Sequence, residues 1–175
     1  MNTEQEDTKQ LLQLLSDTAR DFAQHVASFS DDTMNEAPVP GSWTAAQVSE
    51  HVTLSNSDIA DQLSKPGKIC ERAADAGVER IRSIFLNFDK KLNAPEFIVP
   101  SAIPRTRKEV MEQLQHSIDK LMTVARREDP FQLVQHRIFG ELTRLETIHF
   151  VIYHTQRHIH QLEKIQAIIE KNQQA

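Results

Sequence analysis

The stretch YHTQRHIHQL, residues 153–162, carries three of the chain's eight histidines, with a further one, His149, just upstream. Imidazole nitrogens bind divalent metals, take part in proton transfer, or simply hydrogen-bond, so the first question is which rings share a direction. At about 100° per residue, Ile148, Val151, Ile159, Leu162 and Ile165 gather into one apolar sector of a helix. His154 and His158 fall together at the edge of that sector, whereas His149 and His160 point nearly the opposite way. The spacing His154-x-x-x-His158 stacks two imidazoles one turn apart, a common way for a helix to offer two nitrogens to one ion. The alternative is an ordinary solvated or hydrogen-bonded pair.

Facial coordination needs a donor from another direction. His51, in SWTAAQVSEHVTLS, lies at the margin of the face formed by Val48, Val52 and Ile59, where a bundle helix would project it toward a neighbour. Its competing role is a boundary histidine bonded to a carbonyl. Asp58, two turns further on, is either an acceptor that orients a ligand or an exposed aspartate. His25, His116 and His136 lack partner spacing and read as surface or core-edge residues.

The elements that must position these groups are helices. A Ser/Thr followed three residues later by Glu/Gln satisfies two backbone N–H groups that a first helical turn leaves unpaired. Four such pairs precede periodic segments: Thr3/Glu6, Thr44/Gln47, Thr106/Glu109 and Thr143/Glu146. The first segment, with Leu11, Leu15, Thr18, Phe22 and Val26 in phase, is predicted to run to about Phe29. The second carries Val48, Val52, Ile59 and Leu63 and ends before Lys65-Pro66-Gly67. The third carries Val110, Leu114, Ile118, Leu121 and Ala125, and the last continues nearly to the C-terminus. Between the second and third, Val78, Ile81, Phe85 and Phe88 suit a shorter helix, followed by the proline-punctuated segment 93–104. Nothing alternates at strand period for long. The expected fold is all-α: a four-helix bundle, one domain spanning 1–175, with a long middle connection carrying a short extra helix.

Composition agrees with this and narrows the function. With 39 % hydrophobic and 26 % charged residues and only 4 glycines, the 175-residue chain suits a helix-rich globular protein. A net charge of -5 without a basic block argues against a general nucleic-acid binder. Cys70 is alone and makes no internal disulfide. The N-terminus lacks a signal-peptide pattern and no apolar run reaches membrane-spanning length, so the expected location is cytoplasmic, with no membrane association.

The residues GSWTAAQVSEH and FGELTRLETIHFVIYHTQRHIHQL, in this helix order, resemble the DinB-like superfamily, which includes YfiT-like proteins and the bacillithiol and mycothiol S-transferases. Trp43, His51, His154, His158 and Gln161 occupy the positions of that family's motif, and Phe139-Gly140-Glu141-Leu142-Thr143 resembles its lead-in to the last helix. The chain departs at Ile159-His160, where many members carry a small or basic pair. The resemblance implies a divalent metal, nickel or zinc, held by His51, His154 and His158 at one end of the bundle, and makes a homodimer the expected assembly.

Three neutral imidazoles leave an ion charged and open to further ligands, an arrangement suited to activating a water or a thiol. The expected function is therefore a metal-dependent enzyme, either a hydrolase or a low-molecular-weight thiol S-transferase, acting on a small molecule. The alternative is a non-catalytic small-ligand-binding or stress-related interaction bundle whose metal is incidental or absent. A purely structural bundle would hold His51 more than a side-chain length from the 154/158 pair. Phe97, Ile98 and Val99 in the 93–104 segment read as core packing, with substrate specificity as the segment's other role. Trp43 reads as an apolar plug where the second helix enters, with a lid beside the metal as the other possibility.

Overall fold

The computed structural model describes residues 3–174, with side chains from residue 5 onward. Six α-helices span Thr3–Ala27 (α1), Asp31–Met34 (α2), Ala45–Leu63 (α3), Val78–Phe85 (α4), Arg107–Arg127 (α5) and Arg144–Gln173 (α6). A 3₁₀ turn at Glu96–Ile98 and a hairpin of Leu133–His136 (β1) and Gly140–Thr143 (β2) complete the described elements. The four long helices form the bundle. α1 packs against α5 and α6, and α3 packs against the same two, so α1 and α3 face each other across the diagonal.

Three of the four expected capping boxes close as read. Thr44, Thr106 and Thr143 each accept from the backbone three residues on, and Gln47, Glu109 and Glu146 each return a bond to the cap. The Thr3/Glu6 pair involves a side chain outside the described residues. The first helix stops at Ala27 rather than Phe29, because Ser30 and Thr33 form a further capping box that starts α2. α4 ends at Phe85, and Phe88 lies beyond it with its ring stacked on His160 at 4.2 Å.

The hairpin is an addition to the expected all-helical chain. Val134 and Leu142 pair across it and are both buried, and Gly140 adopts φ +76°, which an L side chain rarely takes, after the turn 137–139. Two four-residue strands are too short for a periodic signal to emerge from the sequence.

Helical phase places the core where the periodicity puts it: Leu11, Leu15, Phe22, Val26, Val48, Val52, Ile59, Leu63, Leu114, Leu121, Ile148, Val151 and Leu162 are all buried. The apolar residues separate into two clusters. One joins the first half of α6 to the C-terminal part of α3, α4, the hairpin and the C-terminal half of α5; the other joins the second half of α6 to the start of α3 and of α5. His154 and His158 sit on α6 between the parts that feed the two clusters.

The long middle connection is tied down by two buried charges at the start of α6. Arg144, 2 % exposed, donates to the carbonyls of Leu63, Lys65 and Asp129 and to Gln132 Oε1. Glu146, fully buried, accepts both terminal nitrogens of Arg72 at 2.6 Å, together with the backbone N–H groups of Gly77 and Thr143. A Cβ at Gly77 would stand 2.9 Å from Glu146 Oε1, so the close approach requires glycine. Burial alone would raise the Glu146 pKa, but these hydrogen bonds outweigh it and hold the carboxyl below its ordinary range.

Candidate metal centre

α3 and α6 pack side by side in the bundle, and their three motif histidines meet. His51 Nε2 lies 3.0 Å from His154 Nε2, which lies 3.2 Å from His158 Nε2. All three rings are buried, at 3 %, 6 % and 7 % exposure. Among the described residues these three form the group of potential ligand atoms lying within 4.8 Å of one another. The separation required of a purely structural bundle is not present. The carbonyl-bonded alternative for His51 holds through Nδ1, while its Nε2 faces His154.

Hydrogen bonds on the far side of two rings determine which nitrogen carries the proton. His51 Nδ1 donates to the Ile98 carbonyl oxygen at 2.8 Å, and His158 Nδ1 donates to Gln161 Oε1 at 2.8 Å. In a neutral imidazole the opposite nitrogen is then an acceptor, so His51 and His158 each aim an Nε2 lone pair at His154. His154 has a single Nε2 to set against both. A proton on His154 Nε2 satisfies one of them at a time, and a shared cation would serve all three nitrogens. A divalent ion about 2.0–2.1 Å from each nitrogen would set neighbouring nitrogens roughly 3 Å apart, in keeping with the two separations from His154.

The rings are held neutral. Burial lowers the His51 pKa, partly offset by its bond to Ile98; burial, reinforced by His51, pushes His158 down to about 3. Burial and the neighbouring His158 and His51 carry His154 well below the ordinary 6.5. Neutral imidazole is the metal-binding form.

Aromatic rings wall the triad. Trp43 lies 5.1 Å from His51 between ring centroids; Phe85 and Phe150 lie 5.8 Å and 5.3 Å from His154. Trp43 thus packs against the core near the start of α3, as the apolar plug expected there, and its ring also touches that of His51. Arg157 spends its guanidinium on the carbonyls of Phe85, Asn87 and Lys90, fastening the segment after α4 beside the site.

Other expectations need correction. Asp58 neither orients His51 nor stands exposed: it pairs with Arg137 Nε at 2.9 Å and accepts the Gln62 amide. His136 is not at the surface or the core edge but 2 % exposed, packed against Phe139 and Phe150, with Nδ1 accepting the N–H groups of Ile138 and Phe139. The hairpin turn creates that environment, so it was invisible without β1 and β2. Of Phe97, Ile98 and Val99 only Ile98 is core; Phe97 and Val99 are 42 % and 51 % exposed, with Arg137 over the Phe97 ring. The triad lies along the middle of α6 and in the first half of α3, rather than at one end of the bundle. His149 stacks on Tyr153 and His160 on Phe88, both away from the triad, as their helical phase requires.

Residues 14–162 match the family model described as the DinB superfamily. The chain belongs to that superfamily. It is similar to the uncharacterized protein YuaE of Bacillus subtilis (strain 168), with 29 % identity over 153 residues covering 81 % of this chain and 88 % of YuaE. Two solved structures share the fold. TT2238, described as a four-helix bundle protein, superposes with a TM-score of 0.59 at 20 % identity, covering 90 % of this chain and 98 % of its own. YfiT from Bacillus subtilis superposes with a TM-score of 0.57 at 14 % identity, covering 97 % of this chain and 90 % of its own, and is described as a probable metal-dependent hydrolase with an unusual four-helix bundle topology.

Proposed function

We propose that this DinB-superfamily protein is a metal-dependent enzyme, a hydrolase or a low-molecular-weight thiol S-transferase, in which His51, His154 and His158 hold one divalent ion, nickel or zinc. The observation that supports it is the meeting of three Nε2 atoms at 3.0 Å and 3.2 Å while two of the opposite Nδ1 atoms are committed elsewhere. The description of YfiT points the same way for a protein of the same fold. An ion held by three neutral imidazoles supplies Lewis-acid activation of a water or a thiol.

The chain's own residues have distinct tasks in this reading. The Ile98 carbonyl and Gln161 hold the His51 and His158 tautomers, so that neither of these two rings must turn or lose a proton for its Nε2 to act as a donor. Trp43, Phe85 and Phe150 exclude water from the ring faces and strengthen local electrostatics. The substrate is a small molecule that enters beside the 93–104 segment, and the protein works in the cytoplasm as a one-domain homodimer. Sedimentation equilibrium checks the last point, a monomer being the contrary result.

Elemental analysis of purified protein tests the centre: about one ion per chain is expected in the wild type, with loss of bound metal in His51→Ala and His158→Ala. Full occupancy in both variants would end the proposal. Turnover of ester, amide or electrophile-plus-thiol substrates, with glutathione, bacillithiol and mycothiol as thiols, separates enzyme from binder. The near-complete burial of all three rings supports the second reading, a non-catalytic ligand-binding bundle, and a metal-loaded protein inert toward all of these substrates would favour it.

A further inference from the structure

His51 is oriented by a backbone carbonyl, and a carbonyl is only as fixed as the segment that carries it. Residues 99–106 lie between the 3₁₀ turn and α5 and belong to neither a helix nor a strand. The segment is held instead by side chains from one stretch of α3. Gln47 Nε2 donates to the Ser101 carbonyl at 3.1 Å; Glu50 Oε2 accepts Ser101 N at 3.2 Å and Ser101 Oγ at 2.9 Å; His51 Nδ1 donates to the Ile98 carbonyl at 2.8 Å. Arg105 then closes on the other Glu50 oxygen at 3.3 Å, and Asn35 exchanges two bonds with the Arg105 backbone. Along the segment Ile98 and Pro100 turn inward and are buried, whereas Phe97 and Val99 face outward.

Residues 47, 50 and 51 lie within about one turn of α3, so the grip on 98–101 and the imidazole it orients share one rigid element. The Glu50 side chain is 15 % exposed and that of Arg105 is 25 % exposed, so water competes only weakly for these bonds. If the segment moves away, His51 Nδ1 loses its acceptor, and neither the Nδ1–H tautomer nor the ring angle is then defined.

We propose that Glu50 and Ser101 are positioning residues of the metal centre: by clamping the 98–101 strap to α3 they fix the Ile98 carbonyl, and through it the direction of the His51 Nε2 lone pair. This rests on the metal reading above. Because coupling is reciprocal, an ion on His51 also tightens the strap, so metal occupancy is transmitted to a surface segment that presents Phe97 and Val99.

The test uses full-length protein and the metals alone. Dissociation constants for Zn²⁺ and Ni²⁺, measured by competition with a chromophoric chelator, are compared among wild type, Glu50→Gln, Ser101→Ala and a control, Lys68→Ala, which removes an exposed ion pair with Glu141. Loss of an outer partner of a metal-bound histidine weakens affinity about 10–100-fold. That range is expected for Glu50→Gln, a smaller weakening for Ser101→Ala, and none for the control. Nitrogen-15 spectra of the metal-free variants should show His51 populating the Nε2–H tautomer, and hydrogen exchange in the wild type should slow at the Ser101 amide on metal loading. Wild-type affinity in both variants, with lower thermal midpoints, would make the clamp merely structural and overturn the proposal. If Glu50→Gln fails to fold, Ser101→Ala decides alone. A wild type that binds neither ion removes the metal reading itself, and the proposal falls with it; that outcome is distinct from a wild type that binds beside unaltered variants.

Discussion

At the start of α6, Arg144 and Glu146 are buried with their charged groups matched: one arginine makes four hydrogen bonds to carbonyl and amide oxygens, and one glutamate's two oxygens meet backbone N–H groups and Arg72. Two to four turns further on, His154 and His158 are also buried, yet there the Nε2 atoms of His51 and His158 both turn to the single Nε2 of His154. Both groups sit on one helix, in one protein interior, among aromatic and aliphatic neighbours. The difference lies in completeness. A polar cluster that satisfies itself holds the fold together, whereas one that turns imidazole nitrogens toward one another is suited to the shared cation proposed above.

The comparison breaks most sharply at Arg144. Replacing it with methionine keeps the bulk but strands the carbonyls of Leu63, Lys65 and Asp129, and removing one partner of a buried charged network costs about 3–5 kcal/mol. Urea denaturation of metal-free Arg144→Met should show that loss; a change below about 1 kcal/mol would mean that the knot is not structural. His51→Ala, by contrast, should shift metal-free stability much less while removing the ion.

Gln161→Ala asks whether the histidine cluster is tuned from outside the triad. Without its Oε1 acceptor, His158 is free to change tautomer, and metal affinity should weaken about 10–100-fold, equivalent to about 1.4–2.7 kcal/mol, with metal-free stability little altered. An unchanged dissociation constant would show that packing alone orients His158.

A further effect concerns pH and is small at any one pH near neutrality. Burial pushes His136 down to about 4, so the folded protein keeps that ring neutral while the unfolded chain takes up a proton below about 6.5. The unfolded state thus binds more protons between these values, and stability present at neutral pH is lost as pH falls from 6.5 toward 4, by up to about 1.4 kcal/mol per unit for this one group. The buried triad adds to the same slope in metal-free protein. His136→Asn keeps an acceptor for Ile138 and Phe139 but does not titrate; its profile of stability against pH should be flatter by one proton, and a profile parallel to wild type would count against the assignment.

The amino-acid sequence by itself determined the long helices, their caps and their inward faces, because a capping box spans four residues and a helical face repeats within a few turns. It also paired His154 with His158 and turned His149 and His160 away, since helical phase is local. His51 was legible as the candidate third donor from its place at the edge of an apolar face, but its meeting with His154 joins residues 103 positions apart and was decided by how α3 and α6 pack. The Ile98 carbonyl, the Glu50 clamp, the burial of His136 under the hairpin and the partners of Arg144 lay outside any periodic signal. Each depends on irregular chain returning to a helix, and the side chains that receive it carry no mark of that role in the residues beside them.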